Sequence, residues 1–424
     1  MGNVVDLDSA QRRPSRRRRS KTALVLGGGG FTGAVYQIGA LRALDLLFTN
    51  RSVNAFDVNV GTSAGAVIAA LTANGIPPAE MMRVLNHQEE ERAYPDMDLG
   101  MLLRPNYAEM LRRGIRMPFH ALRALGSLGW RPTTTSSVDI ALGLADALPS
   151  GIYTGAGVER YMRKVLSMEG FTDDFRELQC ELYLAATDLD TCERVVLGAE
   201  GWDDVPISGA VRASAALPLV YDPHRLKGRE LVDGGIVSTT NLDIAVEAGA
   251  RLIVVVNPLV PFVNDFSRTV PTLFGRRARR VSDMGFAKIG YQTFKLIAYQ
   301  RLHEMARQWE ERYPGVDIVL IEPEPDDELM FETNVMNFAS RIEVARHGFR
   351  SVTVKLAEDY EHLRETCHRH GIEISSERVE TVVGHFETEP ERTGGWRRIL
   401  EQTTSVLLRQ SGEDELPPSA SALR

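Results

Sequence analysis

The first third of the chain alternates between two hydrophobic periods. Residues 22–27, TALVLG, form an unbroken apolar run that ends at glycine, which predicts a buried strand. From Ala34 the period changes: Ile38, Leu41, Leu44 and Leu47 recur at helical spacing. Residues 56–61, FDVNVG, predict a second strand. Residues 63–75, SAGAVIAALTANG, predict a helix closed by Gly75, with Pro77 just beyond. Strand, glycine loop, helix, strand, tight turn, helix is the order of a parallel sheet covered on both faces.

Residues 98–131 break that alternation with a helical texture that carries six arginines and one glutamate. Strand-like runs return at 181–188 (ELYLAATD), 194–198 (RVVLG) and 251–258 (RLIVVVNP). Residues 207–218, ISGAVRASAALP, read as a helix of small residues. A long helical pattern covers 281–311, another strand 316–323, and another helix 338–366. The pattern predicts an α/β fold with a mainly parallel central sheet, a helical insert and a C-terminal helical extension. Its parts are a basic, disordered arm at 1–21, a main α/β domain at 22–260 with a helical insert or lid at 98–150, a mostly helical extension with one added strand at 261–410, and a disordered polar tail at 411–424.

Composition changes this picture little. Of 424 residues, 43% are hydrophobic and 25% charged, as in ordinary globular proteins. Charge is informative because it is uneven. The arm holds seven basic side chains against Asp6 and Asp8, a net +5, so the rest of a chain of net charge -8 carries -13. An acidic body argues against a nucleic-acid partner. Cys180, Cys192 and Cys367 have no metal or disulfide spacing, which predicts a reducing, cytoplasmic location. No apolar run reaches the ~18 residues of a spanning helix.

Four consecutive glycines, Gly27 to Gly30, follow the first strand. Gly28, Gly30 and Gly33 spell the G-x-G-x-x-G of a dinucleotide loop, but the acidic residue that fingerprint needs is misplaced. Asp57 stands at the start of its strand rather than the end, and there is no G-K-[ST]. Gly61-Thr62-Ser63-Ala64-Gly65 is more telling. It is G-x-S-x-G between a predicted strand and a predicted helix, the setting that exposes a serine nucleophile on a strained turn. A serine needs a base. None of the nine histidines follows a strand with a glycine partner; His224, in a polar loop, comes nearest, and His368 and His370 after Cys367 read as a polar helix end rather than a metal site. Residues 229–239, RELVDGGIVST, place Asp233 on a tight turn after an apolar approach. A buried aspartate whose pKa is raised can serve as that base.

Taken in order, LGGGGFTG, GTSAG, AVRASAALP and VDGG resemble the patatin-like lipid acyl hydrolases over residues 21–260. The resemblance implies an α/β sandwich with a Ser-Asp dyad, Ser63 as nucleophile and Asp233 as its partner. The amides of Gly28, Gly29 and Gly30 would form the oxyanion hole, and no cofactor or metal would be needed. It implies a phospholipid or other fatty-acyl ester as substrate and, with the arginine-rich segment, peripheral contact with an anionic membrane. Asp188 reads as structural. One position departs from the family pattern G-G-G-x-R-G: Thr32 stands where the basic residue is expected. That departure keeps a low-turnover lipid-binding protein open, and an acyltransferase with the same dyad is open as well.

Overall fold

A computed structural model describes residues 20–86, 94–95, 99–107, 109–112, 149–263, 270–271, 277–278, 280–325, 327, 329–330, 339–378 and 380. The arm before Ser20, most of the segment 98–150, the Trp396-containing stretch 394–410 and the tail from 411 lie outside them.

The central sheet has eight strands: β1 (Thr22–Leu26), β2 (Val58–Thr62), β3 (Glu181–Asp188), β4 (Arg194–Leu197), β5 (His224–Leu226), β6 (Arg229–Asp233), β7 (Leu252–Val256) and β8 (Asp317–Ile321). Their order is β8-β7-β1-β2-β3-β6-β5, with β4 also paired to β3. The pairs from β8 through β3 are parallel, and β4, β5 and β6 are antiparallel to their partners. Every residue of β1, β2 and β7 is buried, which explains the apolar runs of β1 and β7; β2 buries Asn59 and Thr62 as well.

Alternate residues of β1 feed two cores. Leu24 and Leu26 face one side, against helices α1 (Gly30–Leu47), α2 (Ala64–Ala73) and α6 (Arg341–Glu358). Ala23 and Val25 face the other, with Leu242, Ile244, Trp309 and Leu302 of α5 (Phe286–Arg307). β8 and α6 come from the C-terminal third, yet β8 extends the central sheet and α6 packs along α1.

Three details differ from the pattern. Helix α1 starts at Gly30, four residues before Ala34, because its glycine-rich first turn shows no hydrophobic period. Helix α4 (Ile207–Ser214) stops short of 218, and the Ala216 carbonyl instead accepts the Asp233 amide. Helix α3 (Ala156–Leu166) is absent from the reading above, although Val158, Tyr161, Met162 and Val165 have helical spacing.

Candidate active site

Register brings the site together. Gly27 and Ser63 follow the C-terminal ends of the adjacent parallel strands β1 and β2, where α/β sheets open a crevice. On the other side of β2, Ala185 of β3 pairs with Thr62, and the next residue, Ala186, pairs with Asp233. One strand thus carries the end of β6 to the end of β2, although 170 residues separate Ser63 from Asp233.

Ser63 has φ 56° and ψ −126°, a backbone conformation that side chains avoid. Its amide donates to Ser214 Oγ at 3.0 Å, and Ser214 donates to the Ala185 carbonyl at 2.6 Å. The flanking glycines are steric requirements. A Cβ at Gly65 would lie 2.2 Å from the Leu26 carbonyl oxygen, and one at Gly61 would lie 2.6 Å from Ala66 Cα. The strand-to-helix turn closes only because neither has a side chain.

The Ser63 hydroxyl donates to Asp233 Oδ2 at 2.5 Å. Oδ1 of the same carboxylate accepts the Gly235 amide at 2.7 Å. Asp233 is 2% exposed. Burial pushes its carboxyl up from 3.8 to about 6, while the bonds from Ser63 and Gly235 pull it down. It is therefore largely ionised at neutral pH yet a stronger base than an exposed aspartate.

The glycine loop divides its amides. Gly27 donates to the Val256 carbonyl at 3.0 Å and Gly28 to the Thr239 carbonyl at 2.8 Å. The Gly28 amide, expected in the oxyanion hole, is thus engaged by the backbone that follows Asp233. Gly29 and Gly30 stand at the start of α1, where amides have no intrahelical partner, and neither has an acceptor among the described residues. Gly28 still abuts the serine: a Cβ there would lie 3.3 Å from Ser63 Cβ. Thr32 is buried in the first turn of α1.

Beside Ser63 opens an apolar cavity of about 130 Å³. Phe31 and Ile38 of α1, Val67 and Leu71 of α2, and Val158 and Met162 of α3 help to line it. Its walls offer dispersion contacts and scarcely a polar group, as suits an acyl chain rather than a nucleotide. Sequence reasoning missed this contribution of α3, along with Ser214 and Thr239, which brace the elbow and the loop.

The other candidates fall elsewhere. His224 lies on β5, half-buried, beside the Arg212–Glu159–Asp222 ion pairs; burial, then Arg212, push its imidazole down to about 4. His370 lies between Ser20 Oγ at 2.6 Å and Asp317 Oδ2 at 2.7 Å, and burial pushes the Cys367 thiol up to about 11. Among the described residues no cluster could hold a metal ion. Asp188 accepts the amides of Asp190 and Thr191, closing the β3–β4 turn, and pairs with Arg229. Asp57 anchors the start of β1 through the Thr22 amide and hydroxyl. Among the described residues no helix is long and apolar enough to cross a membrane.

The family model for patatin, described as patatin-like phospholipase, matches residues 24–246. The uncharacterized protein YqhO of Bacillus subtilis (strain 168) is 27% identical over 225 residues, which cover 50% of this chain and 63% of that protein. The match thus spans less than two thirds of that relative's length. Among solved structures, VipD from Legionella pneumophila is 15% identical over 80% of this chain and 67% of its own, with a TM-score of 0.33. Full-length ExoU of Pseudomonas aeruginosa, solved in complex with SpcU, is 16% identical over 77% of this chain and 53% of its own, with a TM-score of 0.28.

Proposed function

The chain belongs to the patatin-like phospholipases, and from that premise we propose that it is a serine lipid acyl hydrolase in which Ser63 and Asp233 form the dyad. The observation that carries this reading is the short Ser63–Asp233 hydrogen bond at the wall of an apolar cavity. The substrate class is a fatty-acyl ester of a glycerolipid, with its acyl chain in the cavity.

The chemistry follows from the contacts. Asp233 accepts the hydroxyl proton as Ser63 Oγ attacks the acyl carbonyl. Negative charge develops on the carbonyl oxygen, and the amides of Gly29 and Gly30 stabilise it. The positive end of the α2 dipole acts in the same direction. The ester C–O bond breaks, the alcohol leaves with the proton from Asp233, and an acyl-serine remains. Water then attacks the acyl carbonyl as Asp233 takes its proton, the bond between the acyl carbon and Ser63 Oγ breaks, and Asp233 returns the proton to Oγ, which frees the fatty acid and the serine. The Gly235 amide holds the carboxylate in place throughout.

The test is product mass spectrometry on a mixed lipid pool, wild type against Ser63→Ala. Fatty acid release should fall by at least about a thousandfold in the variant, and a fluorophosphonate should label Ser63 in the wild type. Release that survives the substitution would overturn the reading. Lipid binding without labelling would instead identify a lipid-binding protein on this fold.

A further inference from the structure

The geometry points to a positioning relay that runs from the C-terminal segment to the glycine loop, with Glu322 at its centre. Asn257 follows β7 at the C-terminal edge of the sheet and is 1% exposed. Its Nδ2 donates to Glu322 Oε1 at 2.6 Å, and its Oδ1 accepts the Leu259 amide at 3.3 Å. The two bonds fix the turn Asn257-Pro258-Leu259. Glu322 follows β8, and its Oε2 lies 2.8 Å from His303 Nε2 on α5. His303 in turn packs on Tyr299 with ring centroids 3.9 Å apart.

Pro258 transmits this order to the site. A Cβ at Gly29 would lie 2.8 Å from Pro258 Cγ, and one at Gly33 would lie 3.0 Å from the same atom. The proline ring is thus the wall against which the glycine loop rests, and Gly29 is one of its two amides without an acceptor among the described residues. Asn257, Pro258, His303 and Glu322 all lie beyond 246, outside the family-matched portion. Removing the Glu322 carboxylate leaves a buried amide donor on Asn257 without its acceptor, and the turn relaxes to find another. A shift of about 1 Å at a catalytic group can cost ~100-fold in rate. Glu322 touches no substrate in this scheme; it acts through Asn257 and Pro258.

The inference rests on the dyad reading for its kinetic consequence but not for its structural one. Glu322→Ala should lower kcat about tenfold on a soluble ester with KM unchanged. It should also speed hydrogen exchange at the Gly27–Phe31 amides while leaving the β3–β4 hairpin unaffected. Glu322→Gln keeps an oxygen that accepts from Asn257, and should retain both properties. His303→Ala, at a partly exposed position, should speed exchange in the same loop to a smaller extent. Wild-type loop exchange in Glu322→Ala, or in His303→Ala if the first variant does not fold, would overturn the relay. So would acceleration spread evenly over the hairpin and the loop. If the dyad reading is wrong, wild type and variants alike will show no turnover, and loop exchange still decides the relay.

Discussion

At the scale of single residues, Asp233 and Ser63 each hold an unfavourable state that the proposed chemistry needs. The folded carboxyl of Asp233 titrates near 6 against 3.8 in its reference state, so the native state holds that proton more tightly. Its contribution to stability is fully present below 3.8 and is lost as pH rises through about 6. The proposed mechanism needs the ionised form, so kcat/KM should fall about tenfold per pH unit below about 6; a flat profile from 7 to 5 would contradict the assignment. Asp233→Asn removes the buried charge. Its stability advantage over wild type should grow between pH 4 and 7 to about 3 kcal/mol, read from denaturant midpoints, while turnover is lost. Ser63 stores strain in its backbone rather than its charge. Ser63→Gly relieves the positive φ and Ser63→Ala does not, so the glycine variant should be more stable than the alanine variant by about 1 kcal/mol, although both are inactive.

At the scale of elements, packing decides what a helical glycine is for. Gly39 in α1 meets α6: a Cβ there would lie 2.3 Å from the Ala345 carbonyl oxygen, and Gly348 approaches the Tyr36 carbonyl in return. Gly290 in α5 is exposed, with nothing among the described residues within 4 Å of an added Cβ. Gly39→Ala should therefore cost at least about 2 kcal/mol, whereas Gly290→Ala should gain up to about 1 kcal/mol from helix propensity. Equal thermal shifts would show that the α1–α6 contact yields more readily than its geometry implies. The same contrast explains what the sequence disclosed. Strands β1 and β7 were legible because burial on both faces leaves an apolar run, and β2 and β3 because apolar residues recur at every second position, Phe56, Val58 and Val60 in one and Leu182, Leu184 and Ala186 in the other. Ser63 was legible because its turn needs glycine at 61 and 65, and Asp233 because a Gly-Gly turn follows it. The brace on the glycine loop was not, since Asn257, Glu322 and His303 are distant in sequence and polar residues have no period. Nor was the engagement of Gly28 by Thr239, because a backbone hydrogen bond leaves no trace in side-chain identity.

At the scale of the whole molecule, the proposed lipid chemistry assigns different roles to the cavity and to a neighbouring apolar edge. Val158 of α3 lines the cavity without being fully buried, so Val158→Trp should narrow it with little strain. Hydrolysis of a palmitoyl ester should then fall at least about tenfold while a butyryl ester is spared, since each excluded methylene costs about 1 kcal/mol. The edge is a small sheet of Arg104–Pro105, Gly151–Thr154 and Leu219–Tyr221. It carries Ile152 at 50% and Leu219 at 81% exposure, with Tyr107 at 72% and Leu111 at 68% just after its first strand. Leu102 and Tyr221, bonded through the tyrosine hydroxyl, join this edge to the cavity wall. Arg104 and Arg112 are exposed on the same segment, Arg112 within 3.9 Å of Glu109, a composition consistent with the proposed contact of this edge with anionic lipid. Leu219→Asp changes no cavity residue and breaks no core contact. It should leave kcat/KM on a soluble short-chain ester within twofold of wild type, a tolerance taken from the near-neutrality of exposed substitutions, at most about 0.5 kcal/mol. If this edge meets the lipid surface, the same variant should lose about tenfold in rate on vesicles rich in anionic phospholipid, because an acidic group would replace a leucine at the apolar boundary. A uniform loss on both substrates would place Leu219 in the fold rather than at a lipid surface, and no loss on vesicles would overturn the assignment of this edge to lipid contact.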